Sequence, residues 1–270
     1  MKSIKLLDSN FFGHKTTTDI QTSKYIIWDR NISLKDDLVI FTDNQMMSAH
    51  HFTGKKIGII IEPKAINEKI YEWVKDNFTQ FDKILTYDKE LLKISDKFKF
   101  YPHGGCWVYP EDQKIHPKTK LLSIISSEKR QTVGHKLRHK IIEICKEKNI
   151  DVDVFGRGYN IIDNKKHGLS NYAYSIIIEN SKSDYYFTEK LIDCLVTGTV
   201  PIYWGCPSIG NFFNEKGLII FNDEIDFIRK VNNLTPEKYI EMLPYVKENF
   251  YKALNFLMIE NWIIENNLID

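Results

Sequence analysis

The sequence predicts an α/β protein made of two units, each with a parallel sheet. Short apolar strands alternate with amphipathic helices along most of the chain, which is typical of parallel sheets covered by helices. In the second half, the predicted strands end in small or polar residues, namely Ser126, Gly156, Asn180 and Gly205. Ligands of open parallel sheets bind beyond the carboxyl ends of the strands. We therefore expect a binding site at this edge.

The first half contains four predicted strands before its first long helix. These strands are 2–7, 25–28, 38–41 and 56–61. The last strand is the most apolar, and we expect it near the centre of its sheet, because a central parallel strand is buried on both faces. It ends at Glu62-Pro63, and a helix is predicted over 65–77 with Ile66 on its apolar face. A strand at 83–86, a helix at 88–94 and a strand at 98–101 complete this half.

Residues 110–120 are polar and charged and contain two prolines, which favours a linker. Beyond it, the pattern predicts strands at 121–125, 152–155, 175–179, 200–204 and 218–221, and helices at 134–148, 223–231, 236–250 and 252–266. We therefore predict two Rossmann-like domains. The first covers 1–113, the second covers 114–251, and 252–270 forms a C-terminal helix that returns to the first domain.

One stretch, from Tyr174 to Cys206, reads as strand, polar loop, helix and strand. Thr188 is a good N-cap for a helix that begins at Glu189, and Gly198 follows the last turn, where a left-handed residue is needed. This arrangement gathers the candidate ligand-binding residues at the carboxyl end of one strand and the start of one helix. These residues are Asn180, Tyr186, Glu189 and Lys190.

The charge is small overall but uneven. The formal net charge is +1, which argues against nucleic acid or an anionic membrane as the partner. Residues 114–148, however, hold ten lysines and arginines against three acids, which favours a small anionic ligand. The four cysteines form no CxxC pair and are expected to be buried thiols. We find no signal peptide and no apolar run of transmembrane length, so we expect a cytoplasmic protein.

Three segments together resemble a known family. Residues 178–181 (IENS), 186–190 (YFTEK) and 200–205 (VPIYWG) resemble the FENS, Y-x-TEK and VP signature of the fucosyltransferases of glycosyltransferase family 10, in its bacterial form. Residues 151–159 (DVDVFGRGY) are similar to another segment of that family. The family's phenylalanine before Glu-Asn-Ser is Ile178 here.

The resemblance implies a GT-B architecture, with two Rossmann-like domains facing a central cleft. It implies an inverting enzyme that transfers L-fucose from GDP-fucose to a hydroxyl of a glycan acceptor. No metal or other cofactor is expected. Two alternatives stay open from the residues alone: a transferase of the same fold that uses another nucleotide sugar, and a catalytically silent protein that binds nucleotide sugars.

The resemblance also implies roles for the residues of the 174–206 stretch. Tyr186 and Lys190 would face the diphosphate, Glu189 would bind the ribose, and Asn180 would contact the donor. A lysine in the first turn of a helix costs about 0.3 to 1 kcal/mol because it meets the positive end of the helix dipole. A bound phosphate would reverse that cost at Lys190.

Two further donor-binding residues are predicted in the basic half. Gly156, in a Gly-Arg-Gly turn after a strand, is expected to lie in a donor-contacting loop. The resemblance implies that an arginine in the helix at 134–148 contacts the pyrophosphate. Arg138 is our candidate, and Arg130, His135 and Lys136 are the alternatives.

Glu62 is the predicted general base. It directly follows a buried strand, and it matches the glutamate of the family's ESP segment, although no serine precedes Pro63 here. Two metal motifs are discounted. Asp151-Val152-Asp153 is formally a DxD motif, but it opens a strand and does not close one. His135 and His139 have the i, i+4 spacing of metal ligands, but a solvated basic helix face is the expected alternative.

Overall fold

The computed structural model describes residues 1–269. By backbone proximity, the chain divides into two compact units. The first unit contains Met1–Gly105, the short insertion Asp184–Tyr186, and the chain from Met258 onward. The second unit contains Cys106–Ser183 and Phe187–Leu257.

The first unit is built on a six-stranded parallel sheet with the order β2-β1-β3-β4-β5-β6. The strands are β1 (Lys2–Leu7), β2 (Ile26–Asp29), β3 (Leu38–Thr42), β4 (Lys55–Ile59), β5 (Lys83–Thr86) and β6 (Phe98–Phe100). β4 has a neighbour on each side, and its last three residues are buried, so its predicted interior position is confirmed.

Two α-helices follow strands of this sheet, and a third comes from the end of the chain. They are α1 (Glu68–Asn77), α2 (Lys89–Leu92) and α7 (Ile259–Glu265). A 3-10 segment, Asp43–His51, follows β3 and has no counterpart in the sequence prediction. Helix α1 begins three residues later than predicted because the backbone N–H groups of Ile66 and Asn67 both bond to the carbonyl of Pro63, which forms a turn. Ile66 therefore lies outside the helix and is 45% exposed.

The second unit contains a five-stranded parallel sheet with the order β11-β10-β9-β7-β8. Its strands are β7 (Lys120–Ile125), β8 (Asp153–Phe155), β9 (Tyr172–Ile178), β10 (Val200–Trp204) and β11 (Ile219–Ile220). Its helices are α3 (Val133–Glu147), α4 (Glu189–Leu195), α5 (Glu224–Val231) and α6 (Pro236–Ala253). All seven residues of β9 are buried, so this strand forms the centre of the core.

The two sheets share one strand order. Numbered within its own unit, each sheet begins 2-1-3-4-5, and the first unit adds a sixth strand at the end. In such sheets the order reverses at one point, between the first and third strands, and ligands bind at the carboxyl ends of the strands there. That point lies between β1 and β3 in the first unit and between β7 and β9 in the second. The predicted α/β class with two parallel sheets is confirmed.

The C-terminal helix predicted over 252–266 is two separate helices. Helix α6 continues to Ala253, a 3-10 turn covers Leu254–Phe256, and α7 begins only at Ile259. The helical conformation is interrupted there because the backbone of Met258 is extended, with φ −145° and ψ 126°. The prediction extended to residue 270, which lies outside the described residues.

The chain first passes from the first unit to the second at Gly105–Cys106, before the predicted linker. Cys106 and Val108 are fully buried, and the backbone N–H of Trp107 donates to the Asp193 carboxylate at 2.6 Å. These contacts tie the chain to the second unit before it reaches residue 110. Within residues 1–269, no helix combines the length and apolar character needed to cross a bilayer.

Candidate active site

A cavity of about 290 Å³ lies in the second unit at the carboxyl ends of β7 and β9. The turn after β8 and the first turn of α4 complete its wall. Four of the residues predicted to bind the donor line it, namely Arg138, Gly156, Glu189 and Lys190. The cavity therefore occupies the point in this sheet where the strand order reverses, and there we expect a ligand.

Gly156 shapes the wall of this cavity because no other residue fits at its position. Its φ is +110°, a backbone conformation that L side chains rarely adopt. A Cβ atom there would lie 1.9 Å from the carbonyl oxygen of Ser126, which follows β7. The glycine thus lets the turn after β8 approach the end of β7.

Arg138 is the arginine of α3 that reaches the cavity. Its Nε and Nη2 donate to the carbonyl oxygen of Ile178 at 2.9 and 2.6 Å, and Nη2 also donates to Oδ1 of Asn180 at 2.9 Å. Its side chain is 6% exposed, whereas the alternatives Arg130 and Lys136 are exposed. Arg138 therefore carries buried positive charge at the end of β9, next to Asn180, which does not itself line the cavity.

The first turn of α4 is held by a buried carboxylate. Thr188 caps the helix, since its hydroxyl accepts from the backbone N–H of Lys190. Glu179, which follows β9 and is fully buried, accepts from the backbone N–H of Thr188 at 2.9 Å and from its hydroxyl at 2.7 Å. Burial raises the pKa of Glu179, although Lys190 and Thr188 oppose the shift. Glu179 thus anchors the start of α4 beside the end of β9.

Lys190 is surrounded by oxygen atoms. Its Nζ lies 3.1 Å from Oε1 of Glu189, 3.1 Å from the hydroxyl of Thr188 and 3.8 Å from Oε2 of Glu179. These carboxylates offset the helix-dipole cost that the sequence predicts for a lysine at this position.

Sequence reasoning missed a second lysine–carboxylate pair in the cavity wall. Nζ of Lys165 lies 2.6 Å from Oδ2 of Asp193 and 4.0 Å from Oε1 of Glu189. Burial lowers the pKa of Lys165, but the carboxylates of Asp193 and Glu189 outweigh it and leave the pKa above its ordinary value. A sequence signal for Asp193 existed, since it is an acid among the apolar residues of α4. Lys165 gave none, because it lies in a polar loop.

The side chains around the cavity carry an excess of positive charge. Arg138, Arg157, Lys165 and Lys190 line it, against the two carboxylates of Glu189 and Asp193. A cavity with this balance favours an anionic ligand, and arginine and lysine are the side chains that bind phosphate groups.

Tyr186 and Glu62 belong to the first unit, and neither is among the residues that line this cavity. Tyr186 is 1% exposed, and its ring packs on that of Tyr87 with centroids 5.2 Å apart. The preceding Tyr185 has φ +62°, and in this conformation the chain places the Tyr186 ring in the apolar core of the first unit. The predicted contact of Tyr186 with the diphosphate stays a prediction.

The two discounted metal motifs are occupied by other interactions. Asp153 accepts from Nζ of Lys120 at 2.8 Å and from the hydroxyl of Tyr172 at 2.6 Å. The expectation that His135 and His139 lie on a solvated face is wrong, because both are buried. His135 accepts from the backbone N–H of Thr132 in a capping box, and His139 lies 2.9 Å from the hydroxyl of Tyr159.

The second unit is similar to a known family of proteins. Residues 115–243 match the model of the glycosyltransferase family 10 (fucosyltransferase) C-terminal domain. An alpha-(1,3)-fucosyltransferase of Helicobacter pylori, FucT, is 34% identical over 128 residues, which cover 42% of this chain and 26% of that protein. The candidate fucosyltransferase R654 of Acanthamoeba polyphaga mimivirus is 34% identical over 218 residues, or 72% of this chain and 34% of that protein. The chain thus spans about a quarter to a third of these relatives.

Solved structures show the same fold. A crystal structure of alpha1,3-fucosyltransferase superposes with a TM-score of 0.61 and 19% identity over 94% of this chain and 88% of that one. The structure described as the same enzyme with GDP-fucose gives a TM-score of 0.56 and 20% identity over 98% and 91% of the two chains. At this identity the likeness concerns the fold alone. The segment that matches this family model contains all four cavity-lining residues that the sequence predicts to bind the donor, and over this segment the chain is similar to the fucosyltransferases of glycosyltransferase family 10.

Proposed function

We propose that this chain transfers L-fucose from GDP-fucose to a hydroxyl group of a glycan acceptor, with inversion at the anomeric carbon. The observation that carries the proposal is the cavity in the second unit, where Arg138, Glu189 and Lys190 meet at the ends of β7 and β9. The family match covers this cavity, and the H. pylori relative is named an alpha-(1,3)-fucosyltransferase.

In this proposal the cavity holds the donor. Lys190 and Arg138 stabilise the negative charge that develops on the departing diphosphate, and Glu189 accepts hydrogen bonds from the ribose hydroxyls. Glu189 suits that role because carboxylate oxygens accept hydrogen bonds, and its Oε1 is held in the cavity wall 3.1 Å from Nζ of Lys190 and 4.0 Å from Nζ of Lys165.

We propose further that the reaction needs no metal ion, since lysine and arginine side chains supply the positive charge at the diphosphate. Turnover in the presence of EDTA tests this point. Loss of activity on chelation, restored by Mg²⁺ or Mn²⁺, would contradict it.

Glu62 is the proposed general base, which accepts the proton of the attacking acceptor hydroxyl. Replacing a general base lowers the rate by a factor of about 10² to 10⁴. We expect Glu62→Gln to lower kcat in this range and to leave the affinity for GDP unchanged, because Glu62 and the cavity belong to different units. Glu68→Gln, an exposed acid in α1, is the matched control.

The experiment that tests the whole proposal combines binding and turnover. A ligand that binds the folded state raises the unfolding temperature, so GDP and GDP-fucose should raise it more than UDP-, ADP- or CMP-linked sugars. Release of GDP from GDP-fucose is then measured with a panel of glucose-, galactose- and N-acetylglucosamine-containing saccharides, and NMR of the product gives its anomeric configuration. Preference for another nucleotide, or retention of configuration, would refute the proposal.

A further inference from the structure

Ile61 and Glu62, which follow β4 after Ile60, are held by side chains at all four of their backbone polar atoms. Both N–H groups donate to the carboxylate of Asp43, Ile61 to Oδ1 at 2.8 Å and Glu62 to Oδ2 at 3.2 Å. The carbonyl oxygen of Ile61 accepts from the hydroxyl of Tyr87 at 3.1 Å, and that of Glu62 accepts from the hydroxyl of Tyr71 at 2.9 Å. The segment past the last sheet residue is thus fixed without a neighbouring strand.

The three side chains that hold this segment come from three different elements. Asp43 opens the 3-10 segment after β3, Tyr71 lies in α1, and Tyr87 follows β5. All three are buried, with exposures of 2% each, and the two tyrosine oxygens are 3.3 Å apart. Burial favours a single arrangement, because a buried polar atom that loses its partner is left without water to replace it.

Asp43 also adopts an unusual backbone conformation. Its φ is +43°, a left-handed value that residues other than glycine rarely take, although aspartate tolerates it better than most. Its carboxylate receives a third hydrogen bond, from Nδ2 of Asn10 at 2.8 Å. A buried aspartate in a left-handed conformation persists only where its surroundings determine it fully, and such residues concentrate at functional sites.

The position of this cluster also favours a functional role. Asn10 follows β1 and Asp43 follows β3, so their hydrogen bond lies where the strand order of the first sheet reverses. This is the place where open parallel sheets bind ligands. In the second unit the corresponding place is the cavity.

We infer that Asp43, Tyr71 and Tyr87 are positioning residues, which fix the backbone of Glu62 so that its carboxylate is held ready to accept the acceptor's proton. The inference rests on the proposed function, since it concerns the base of that reaction. A proton acceptor must lie within hydrogen-bond reach of the proton that it takes, and a displacement of about 1 Å can lower a rate by about a hundredfold. Fixing the peptide on both sides of the base limits such displacement.

The variants that test the inference remove single polar atoms and keep the packing. Tyr71→Phe and Tyr87→Phe each remove one hydroxyl, and Asp43→Asn replaces one accepting oxygen with a donor. We expect each to lower kcat by about tenfold to a hundredfold, with the affinity for GDP and the KM for GDP-fucose unchanged. Tyr25→Phe is the matched control, because it removes a hydroxyl of the same unit that bonds only at the surface, to Glu265.

A double-mutant cycle separates positioning from a merely structural role. If Tyr71 and Tyr87 act through Glu62, their replacement should not lower the residual rate of the Glu62→Gln protein any further. If the tyrosine replacements lower kcat in the Glu62→Gln protein by the same factor as in the wild type, the inference is overturned. Residue-specific amide exchange supplies a readout without turnover: in Asp43→Asn, the amides of Ile61 and Glu62 should exchange at least tenfold faster, while that of Ile59, inside β4, keeps its rate.

The outcomes also separate the inference from the proposed function. Full turnover in Glu62→Gln would overturn the inference and leave fucosyl transfer standing. If the wild-type chain binds GDP-fucose but releases no GDP with any saccharide of the panel, both the inference and the proposed function are overturned. Unchanged exchange at residues 61 and 62 in Asp43→Asn would overturn the inference whatever the activity.

Discussion

The two parallel sheets of this protein have the same strand order, yet their carboxyl edges differ where that order reverses. In the second unit the ends of β7 and β9 leave a cavity of about 290 Å³ lined by lysines, arginines and carboxylates. In the first unit the ends of β1, β3 and β4 are joined by Asn10 and Asp43, and the segment that carries Glu62 is fully hydrogen bonded.

If the proposed function is right, the difference teaches that one topology can serve two chemical tasks. A site for a large anion needs space and positive charge, and the cavity at the ends of β7 and β9 has both. A base needs one carboxylate in a fixed place, so the backbone around it is bonded from several directions. The four changes below test whether each edge performs its own task.

The largest effect is expected from Gly156→Ala, which closes the approach between the turn after β8 and the end of β7. The new Cβ would lie 1.9 Å from a backbone oxygen, at a φ of +110°. We expect a loss of about 3 kcal/mol or more in the free energy of unfolding and a strong drop in GDP affinity. Gly13→Ala is the control. Gly13 also has a positive φ, but no atom lies within 4 Å of its Cβ position, so it should cost about 1 kcal/mol and leave GDP affinity intact.

The next effect concerns the first unit. Glu260 in α7 is fully buried, and its carboxylate accepts from the backbone N–H of Thr17 and, at 2.7 Å, from its hydroxyl. Glu260→Ala leaves the N–H without a partner and should cost about 1 to 3 kcal/mol in denaturant unfolding. The half-exposed Glu265→Ala is the control. Because α7 belongs to the first unit, GDP affinity should not change; a parallel loss would show that the donor site depends on this contact.

Lys190→Ala tests the charge of the cavity. We expect the affinity for GDP to fall by about tenfold to fiftyfold, or about 1.4 to 2.3 kcal/mol, with little change for guanosine. The cause is the loss of a cation from the diphosphate position. Lys182→Ala, at an exposed lysine in the segment before α4, is the control. Equal losses of affinity for GDP and guanosine in calorimetric titrations would contradict a contact between Lys190 and the diphosphate.

The last change tests a pH dependence of stability near the cavity. Burial, and then the positive charges of Arg138, Lys129 and Lys190, lower the pKa of His135 to about 4. The unfolded chain therefore binds a proton at His135 at higher pH than the folded chain does. The free energy of unfolding consequently falls as the pH falls from about 6.5 towards 4.

His135→Gln tests this dependence, because glutamine keeps the capping-box geometry and does not titrate. Between pH 7 and 4.5, the wild type should lose about 1 to 3 kcal/mol more than the variant in denaturant unfolding. His50→Gln, at an exposed position, is the control. Parallel stability curves for the wild type and His135→Gln would contradict the assignment.

Much of the fold follows from local sequence patterns. The bounds of β1, β5 and β10 match the prediction, and α4 begins at Glu189 behind the Thr188 cap and ends before the left-handed Gly198. These features depend on side-chain alternation, capping and glycine, which act over a few residues. Glu189 and Lys190 could be named as candidate donor residues for the same reason, since their motif is continuous in the chain.

Other features could not be predicted, because they depend on contacts between distant residues. Lys165 and Asp193 are 28 positions apart, and nothing in either segment indicates the other. His135 was expected on a solvated face because its helix is basic, but the end of β9 covers the start of α3: the N–H of Gly134 bonds to the carbonyl of Asn180.

The sequence by itself determined the α/β class, most of the strands and the identity of Arg138, Glu189 and Lys190 as donor-site candidates. Only the tertiary structure decided that four of the predicted donor residues line one cavity, that Tyr186 packs in the other unit, and that Asp43 holds the backbone of Glu62. The physical reason is the distance along the chain over which each kind of interaction acts. Propensities and caps act within one element, whereas strand order and buried polar contacts join elements that are far apart in the chain.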